Sequence, residues 1–401
     1  MTSKYLVAAF AAVAGPACAQ DIAFKPQLDG RERYEIVHQD GLADDAHALT
    51  LRLRAGLSAT KGSWSALVEG QGTVAIDGRY YDGLNGAATR PLVADPENIA
   101  LYRAQLQYKT KPLTVTVGRQ RVALDDERFV GAVGFRQNGQ TFDAVRAQWA
   151  PLKGVKADVS YAWSVRTIWG IDGAGARQLA VSGDNFLANV AVATPLGQLA
   201  GFAYLVDQDE AAVQGFRLSS QTYGARIAGS RALSKTAKLS WAASYARQSD
   251  YHRNPNDYRA DYYLVDGTLD VSQWKLNAGY EVLGADTGAA LTSFQTPLAT
   301  LFKFQGWADK FLTTPPNGVR DLYAGAGWSK KKLGKIDLLT LQAVAHRFRS
   351  DRLDQHYGSE IDVLASAKVG RALYSVRFAD YRAKQFATDT RKFWLSLDWA
   401  L

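Results

Sequence analysis

The densest concentration of chemically capable side chains lies between Gly118 and Arg146. It opens with Gly118-Arg119-Gln120-Arg121 and runs through Asp125, Asp126, Glu127, Arg128 and Arg136, with Gly131, Gly134 and Gly139 between them. It closes with Phe142-Asp143-Ala144-Val145-Arg146. Such a mixture suits anion recognition. A guanidinium stays charged at any physiological pH and offers a planar fork of donors that matches a carboxylate. Carboxylates beside it would hold it extended, and rings of arginine are how a pore prefers anions. The segment is either a solvated surface loop or a loop folded into a lumen. Asp125-Asp126-Glu127 carries hard oxygen donors suited to calcium, but no glycine-spaced loop of the EF type surrounds it, so no metal is assigned. The five histidines, His38, His47, His252, His346 and His356, sit in no triad-like or zinc-binding spacing. No glycine loop that would cradle a phosphate is present, and neither a cofactor nor an enzymatic activity is expected.

The elements that must position these groups are strands. From Ala48 to Ser58, Leu49, Leu51, Leu53, Ala55 and Leu57 share one parity, while Thr50, Arg52, Arg54, Gly56 and Ser58 share the other. Period two is the signature of a strand with two unlike faces. In a transmembrane barrel the leucines meet lipid and the arginines meet the lumen. The same parity recurs where Tyr102, Ala104, Leu106 and Tyr108 oppose Arg103, Gln105 and Gln107. It recurs where Val155 to Val165 oppose Lys156, Asp158, Ser160 and Arg166, and where Trp274 to Val282 oppose Lys275, Asn277 and Glu281. An arginine facing lipid at mid-bilayer costs roughly 2–4 kcal/mol, which fixes the orientation. The parity fails after Val117, because Arg119 and Arg121 share it with Leu113, Val115 and Val117, so a bulge is expected at Gly118.

Alternating segments begin near Leu28, Ala48, Ser63, Asn98, Leu113, Thr141, Val155, Asn185, Leu199, Ser219, Ala237, Ala260, Ser272, Val319, Lys335, Tyr357, Ala372 and Arg391. The fold class is therefore all-β, a transmembrane antiparallel β-barrel of about 18 strands. Short turns such as Thr110-Lys111-Pro112 alternate with longer stretches at 77–97, 170–184, 250–259 and 284–318, giving short periplasmic turns and longer extracellular loops. The uncharged run 185–206 is long enough to span a membrane as a helix, but Thr194-Pro195-Leu196-Gly197-Gln198 at its centre is turn chemistry, so it reads as a hairpin. Trp64, Trp149, Tyr245, Trp274 and Trp328, among ten tryptophans and nineteen tyrosines, fall near strand ends as aromatic girdles would.

The remaining features fix the compartment. Lys4, the apolar run Tyr5 to Val13 and Ala17-Cys18-Ala19 form a secretory signal peptide over residues 1–19. Residues 20–401 follow as one barrel domain. Gly15-Pro16-Ala17 before Cys18 lacks the aliphatic residue of a lipobox, and the mature chain has no cysteine for disulfide chemistry. The 47 basic and 39 acidic residues give +8, and loss of Lys4 leaves +7. The excess is mostly arginine on strands, a fixed interior field rather than an arm for nucleic acid. The chain ends on a strand in which Phe393, Leu395, Leu397, Trp399 and Leu401 alternate with polar neighbours, the kind of terminal signal that barrel-assembly machinery reads.

These segments resemble the alginate export family of outer-membrane porins. Two stretches carry the resemblance: Gly118-Arg119-Gln120 with the acidic loop to Phe142-Asp143-Ala144-Val145-Arg146, and Phe294-Gln295-Thr296-Pro297-Leu298-Ala299-Thr300 through Lys303-Phe304-Gln305-Gly306-Trp307-Ala308-Asp309. The resemblance implies an eighteen-stranded monomer in the outer membrane of a Gram-negative bacterium, with an arginine-lined constriction that passes a polyuronate such as alginate. It places Arg119 and Arg146 in the strand motifs beside an inward loop, with Asp125, Asp126 and Glu127 as its acidic part. Parity alone adds Arg33, Arg52, Arg54, Arg103 and Arg166 to the pore lining, with Glu69 and Asp143 as carboxylates that keep arginines extended. The loops at 37–46 and 349–355 are short for a polymer exporter. Uronate oligosaccharides, small organic anions, or a plugged barrel acting as a receptor or adhesin are the alternatives. The loop 284–318, with Pro297, Pro315 and Pro316, is the expected lid.

Overall fold

The structure, a computed structural model, describes residues 22–401. The signal-peptide reading lies outside the described residues. Eighteen strands follow in chain order: β1 Ala23–Gln39, β2 Ala46–Lys61, β3 Trp64–Arg79, β4 Asn98–Lys109, β5 Leu113–Gln120, β6 Thr141–Trp149, β7 Val155–Arg166, β8 Ala180–Thr194, β9 Gly197–Val206, β10 Ser220–Ala232, β11 Ala237–Asp250, β12 Arg259–Val271, β13 Trp274–Leu283, β14 Val319–Leu333, β15 Ile336–Arg349, β16 His356–Val369, β17 Ala372–Ala383 and β18 Thr390–Ala400. Each pairs antiparallel with its sequence neighbours. β1 also pairs with β18, from Asp29 opposite Ala400 to Gln39 opposite Thr390, so the sheet closes and no edge is left unpaired. The uncharged run forms the β8–β9 hairpin, and no described helix is long and apolar enough to cross a membrane.

Side-chain parity sets the two faces. On β2 Leu51, Leu53 and Leu57 are exposed at 37%, 44% and 48%, while Thr50, Arg52 and Arg54 are buried in the interior. Leucines covering the outside and arginines within are the arrangement that lipid, not water, would select. Trp64, Trp149 and Trp274 are exposed on the outer face near the short turns, and Trp274 stands directly opposite Trp328. On β18 the polar set points inward, with Asp398 against Arg31 at 2.5 Å.

Two details of register differ from the sequence expectation. Gly118 takes φ +107°, a conformation that glycine tolerates and a side chain resists, yet β5 runs through it with unbroken pairing to β4 and β6. The irregularities sit in β4, the neighbouring strand, and in β7, two strands away on the other side. In β4 Glu69 pairs with Arg103 and Gly70 with Leu101, so Tyr102 is the extra residue; in β7 Asp143 pairs with Ser164 and Ala144 with Ala162, so Trp163 is. Each bulge exchanges the faces of the residues beyond it. Tyr102, expected on the lipid face, is therefore buried inside under Arg54, and Val165 turns inward.

The interior of a barrel this wide would be an aqueous channel if loops did not fill it. Here loops do fill it. The segments 121–140 and 284–318 enter the lumen from the long-loop end and pack against each other through a bridge between Val130 and Leu298. Gly131 N–H donates to Leu298 O at 2.9 Å and Thr300 N–H to Glu127 O at 3.0 Å. Val122, Leu124 and Val130 of one loop and Phe294, Leu298 and Phe311 of the other form a dry core with wall residues such as Phe142, Leu187, Tyr262 and Phe348. Phe129 touches four rings, at centroid distances of 5.0 Å to Tyr262, 5.2 Å to Phe202, 5.8 Å to Phe294 and 5.9 Å to Tyr204.

Candidate functional site

The inner wall carries a ladder of arginines, and most are already engaged. Arg103 donates to both oxygens of Glu69 at 2.6 and 3.1 Å, Arg146 to both oxygens of Asp158 at 2.8 and 2.5 Å, and Arg52 to Asp29 at 2.5 Å. Bidentate pairing fixes Arg103 and Arg146 in space, and all three pairs spend the guanidinium charge locally. Arg33 is wholly buried: it donates to Phe135 O at 2.6 Å, lies 4.1 Å over the Phe135 ring and faces Asp95 at 3.6 Å. Arg31 donates to the carbonyls of Gly134 and Phe135. These two wall arginines hold the inward loop by its backbone rather than meeting solvent.

Arg54, Arg377 and Arg121 have no carboxylate within 4 Å among the described residues, and neither does Arg217, beside a cavity open toward the long-loop end. Arg54 donates to Gln71 at 2.6 Å and stacks over Tyr102. Arg377 donates to Ser375 Oγ at 3.2 Å and lies 5.5 Å over Phe135 and 5.9 Å over Trp307. Arg121 is exposed where the chain leaves β5 for the lumen. Its carbonyl accepts from Arg146, and its charge lies within electrostatic reach of Arg54.

The acidic part of the inward loop does not gather into one site. Asp125 accepts from Asn189 at 2.6 Å, Asp126 pairs with Arg226 at 3.0 Å, and Glu127 accepts from Thr300 at 2.6 Å and Lys303 at 3.2 Å. Burial holds the Asp125 carboxyl above the usual carboxylate range; for Glu127 burial acts the same way, but the Thr300 hydroxyl and Lys303 outweigh it and hold it lower. These carboxylates pin the two loops to the wall and to each other. Arg128 completes the joint, buried with Glu281 at 2.7 Å and donating to Thr296 at 3.2 Å.

Above the joint lies a cavity of about 740 Å³, open toward the long-loop end. Its floor carries Arg136, Asp309, Lys310 and Lys392. Its walls are largely apolar, with Ile168, Trp169, Leu291, Leu301 and Leu312, and glutamines lie between. Arg136 donates to Asp309 at 2.6 Å and Lys392 does so at 2.9 Å, which uses the one acid of the floor. Lys310 is left with Gln39 Oε1 at 3.4 Å. Burial, then the neighbouring Lys392 charge, lowers the Lys310 ammonium to about 8. A half-buried cation without a carboxylate is a ready counter-charge for an entering anion.

A sequence profile described as alginate export matches residues 24–249, more than half the chain. The chain belongs to the alginate export family. Solved structures with the same fold include OccK9 (OpdG) of Pseudomonas aeruginosa, with a TM-score of 0.72 at 16% identity over 94% of this chain and 98% of that one. OccAB4 of Acinetobacter baumannii follows at 0.69 and 12%, over 95% and 99%. OpdK of Pseudomonas aeruginosa, determined with vanillate, matches at 0.67 and 12%, over 94% and 98%. No curated protein sequence matches. With the closed barrel, the family makes this chain an outer-membrane porin, a channel protein by family and fold.

Of the residues expected to line the pore, Arg33, Arg52, Arg54, Glu69, Arg103 and Arg146 lie on the inner face, and Asp125, Asp126 and Glu127 lie in the inward loop. Arg119, Asp143 and Arg166 do not line the pore. Their cross-strand partners Ala104 and Ser164 belong to the outer face, and Val117 and Val145, of the same parity, are exposed there. Arg119 donates to Asp143 at 2.8 and 2.9 Å, and Arg166 lies 3.6 Å from the same carboxylate, a neutralising group near the extracellular strand ends. The expected bulge at Gly118 would have turned Arg119 inward; unbroken pairing there leaves it outside, and the bulge at Trp163 turns Arg166 outward. Sequence reasoning missed Arg377, which opposes Val376 and Phe378 on β17 and was legible from parity. It also missed Lys310, Lys392 and Asp309, whose meeting no local pattern announces.

Proposed function

We propose that this porin conducts small anionic solutes, uronate monomers, short uronate oligosaccharides or organic acids of similar size, by passive and anion-selective diffusion. The observation that carries the proposal is the pair of inward loops. They fill much of a wide cylinder and leave a cavity with one cation lacking a carboxylate, Lys310, and a wall with others, Arg54, Arg121 and Arg377. A solute enters the cavity, exchanges water for Lys310, and moves toward Arg377 and Arg121. Arg52, Arg103 and Arg146, neutralised by Asp29, Glu69 and Asp158, offer no further tight anion site along the wall, and conduction requires binding weak enough to release. Vanillate in OpdK is a carboxylate of the size this cavity would take. Passage of an alginate polymer would require the two loops to leave the lumen together. The protein acts as a monomer in the outer membrane of a Gram-negative bacterium and is inserted by assembly machinery that reads strand β18.

The test is the reversal potential of the mature protein in planar bilayers across a potassium chloride gradient, for the parent and for Arg121→Ala with Arg377→Ala. Anion selectivity that weakens in the double variant, with current blocked by uronate dimers, supports the proposal. Cation selectivity, or no current from folded protein, overturns it; the second result would favour a plugged receptor.

A further inference from the structure

Most charged side chains on the outer face stand near the extracellular strand ends; Glu32, exposed at mid-strand between Leu51 and Leu397, does not. Beyond the Arg119 group those near the ends include Arg79 with Asp77, Arg247 with Asp261, and a longer row on β14–β18: Arg320, Arg347, Arg349, Arg382 and Arg391. The periplasmic turns, by contrast, carry lysines, among them Lys111, Lys153, Lys235, Lys335 and Lys368. In the β14–β18 row five arginines face three carboxylates. Arg320 and Arg349 share Asp354 at 2.7 and 2.6 Å, while Arg382 and Arg391 share Asp380, and Arg382 also reaches Asp389 at 3.4 Å. Arg347 has no carboxylate within 4 Å among the described residues. It is exposed on the outer face, directly opposite Leu322, which is exposed at 56%.

Register places Arg347, Ser359 and Arg382 side by side across β15, β16 and β17. At the usual strand spacing of about 4.8 Å, the two arginine Cα atoms are about 10 Å apart with a hydroxyl between them. Toward the membrane the next outward positions on these strands hold Ala345, Ile361 and Asp380, the partner of Arg382, and the positions after those hold Ala343, Val363 and Phe378, an apolar surface. Two guanidiniums above apolar side chains at the outer boundary of a bilayer form a headgroup site with an acyl surface below it. Arginine is the side chain whose fork fits phosphate oxygens, and interfacial basic residues gain from anionic headgroups.

We propose that Arg347, Ser359 and Arg382 form a binding site for the phosphorylated headgroup of an outer-leaflet glycolipid. Arg347 donates to one phosphate and Ser359 bridges. Arg382, held by Asp380 and Asp389, supplies the second guanidinium. The site is separate from the permeation path, so its loss leaves conduction intact.

Native mass spectrometry of the mature barrel in detergent, titrated with bisphosphorylated lipid A, tests this. The parent should retain the lipid, and Arg347→Ala with Arg382→Ala should retain about tenfold less. Arg347→Lys with Arg382→Lys should fall between them, and Arg119→Ala, on another face, should match the parent. Fully dephosphorylated lipid A should bind the parent as weakly as the bisphosphorylated lipid binds the alanine variant. Millimolar inorganic phosphate should fail to compete, because it lacks the chains that the apolar surface holds. Unchanged conductance of the alanine variant certifies its fold. Equal retention by parent and alanine variant, or by both forms of the lipid, overturns the proposal, as does displacement by inorganic phosphate.

Discussion

Replacing Asp309 by asparagine should loosen the loop 284–318 from the wall. The Asp309 carboxylate accepts from Arg136 at 2.6 Å and from Lys392 at 2.9 Å, and all three side chains are at most 7% exposed. Breaking a buried ion cluster by removing one partner costs about 3–5 kcal/mol, because the remaining charges stay desolvated. Asparagine keeps one acceptor oxygen, and Arg136 keeps Glu35 at 3.4 Å, so the lower end, about 3 kcal/mol, applies. At about 1.4 kcal/mol per factor of ten, the ratio of displaced to seated loop rises by roughly 100-fold. Single-channel recording should then show brief openings to a larger conductance, and hydrogen exchange should accelerate at the Thr300 and Gly131 amides, which bond across the two loops. Acid should mimic the substitution. Although burial opposes it, Lys392 and Arg136 hold the Asp309 carboxyl below its ordinary range. A carboxyl with a depressed folded value contributes stability above its unfolded value, about 3.9, and loses it as the pH falls through the folded one. Unchanged conductance and unchanged exchange in Asp309→Asn would refute the assignment of this cluster as the latch.

Block by glucuronate should weaken as the pH rises through about 8, where Lys310 loses its proton, and the step should vanish in Lys310→Met; a step that persists in the variant would assign it to another group. Arg119→Ala should leave the reversal potential unchanged, since its guanidinium is outside and paired with Asp143; a shift would place it in the pore. Glu281→Gln strips the counter-charge from buried Arg128 and should cost about 3 kcal/mol, read as faster exchange across the loop joint; parent-like exchange would show that the Phe129 contacts suffice. Gly118→Ala forces a side chain into φ +107° against Ala104 and should cost at least about 1 kcal/mol, read as a lower temperature of heat-modifiable mobility in gels; an unchanged transition would show that the strand relaxes.

The alternation of Leu51, Leu53 and Leu57 with Arg52 and Arg54, and its recurrence along the chain, determined the fold class, the count of eighteen strands and the lipid-facing set. Period two is a local property: each residue's face follows from its neighbours, and the cost of an arginine in lipid fixes which face is which. The faces of Arg119, Arg166 and Tyr102 did not follow, because a bulge is set by pairing with the adjacent strand, and one inserted residue reverses all beyond it. The contents of the lumen followed still less. Val130 meets Leu298, and Arg136 meets Asp309, across more than 160 residues of sequence. Such pairings arise only once the closed barrel confines two long loops in one volume, where apolar side chains and buried charges must satisfy one another. The sequence alone determined a porin's wall; the tertiary structure decided which arginines are spent on holding the loops and which are left without a carboxylate.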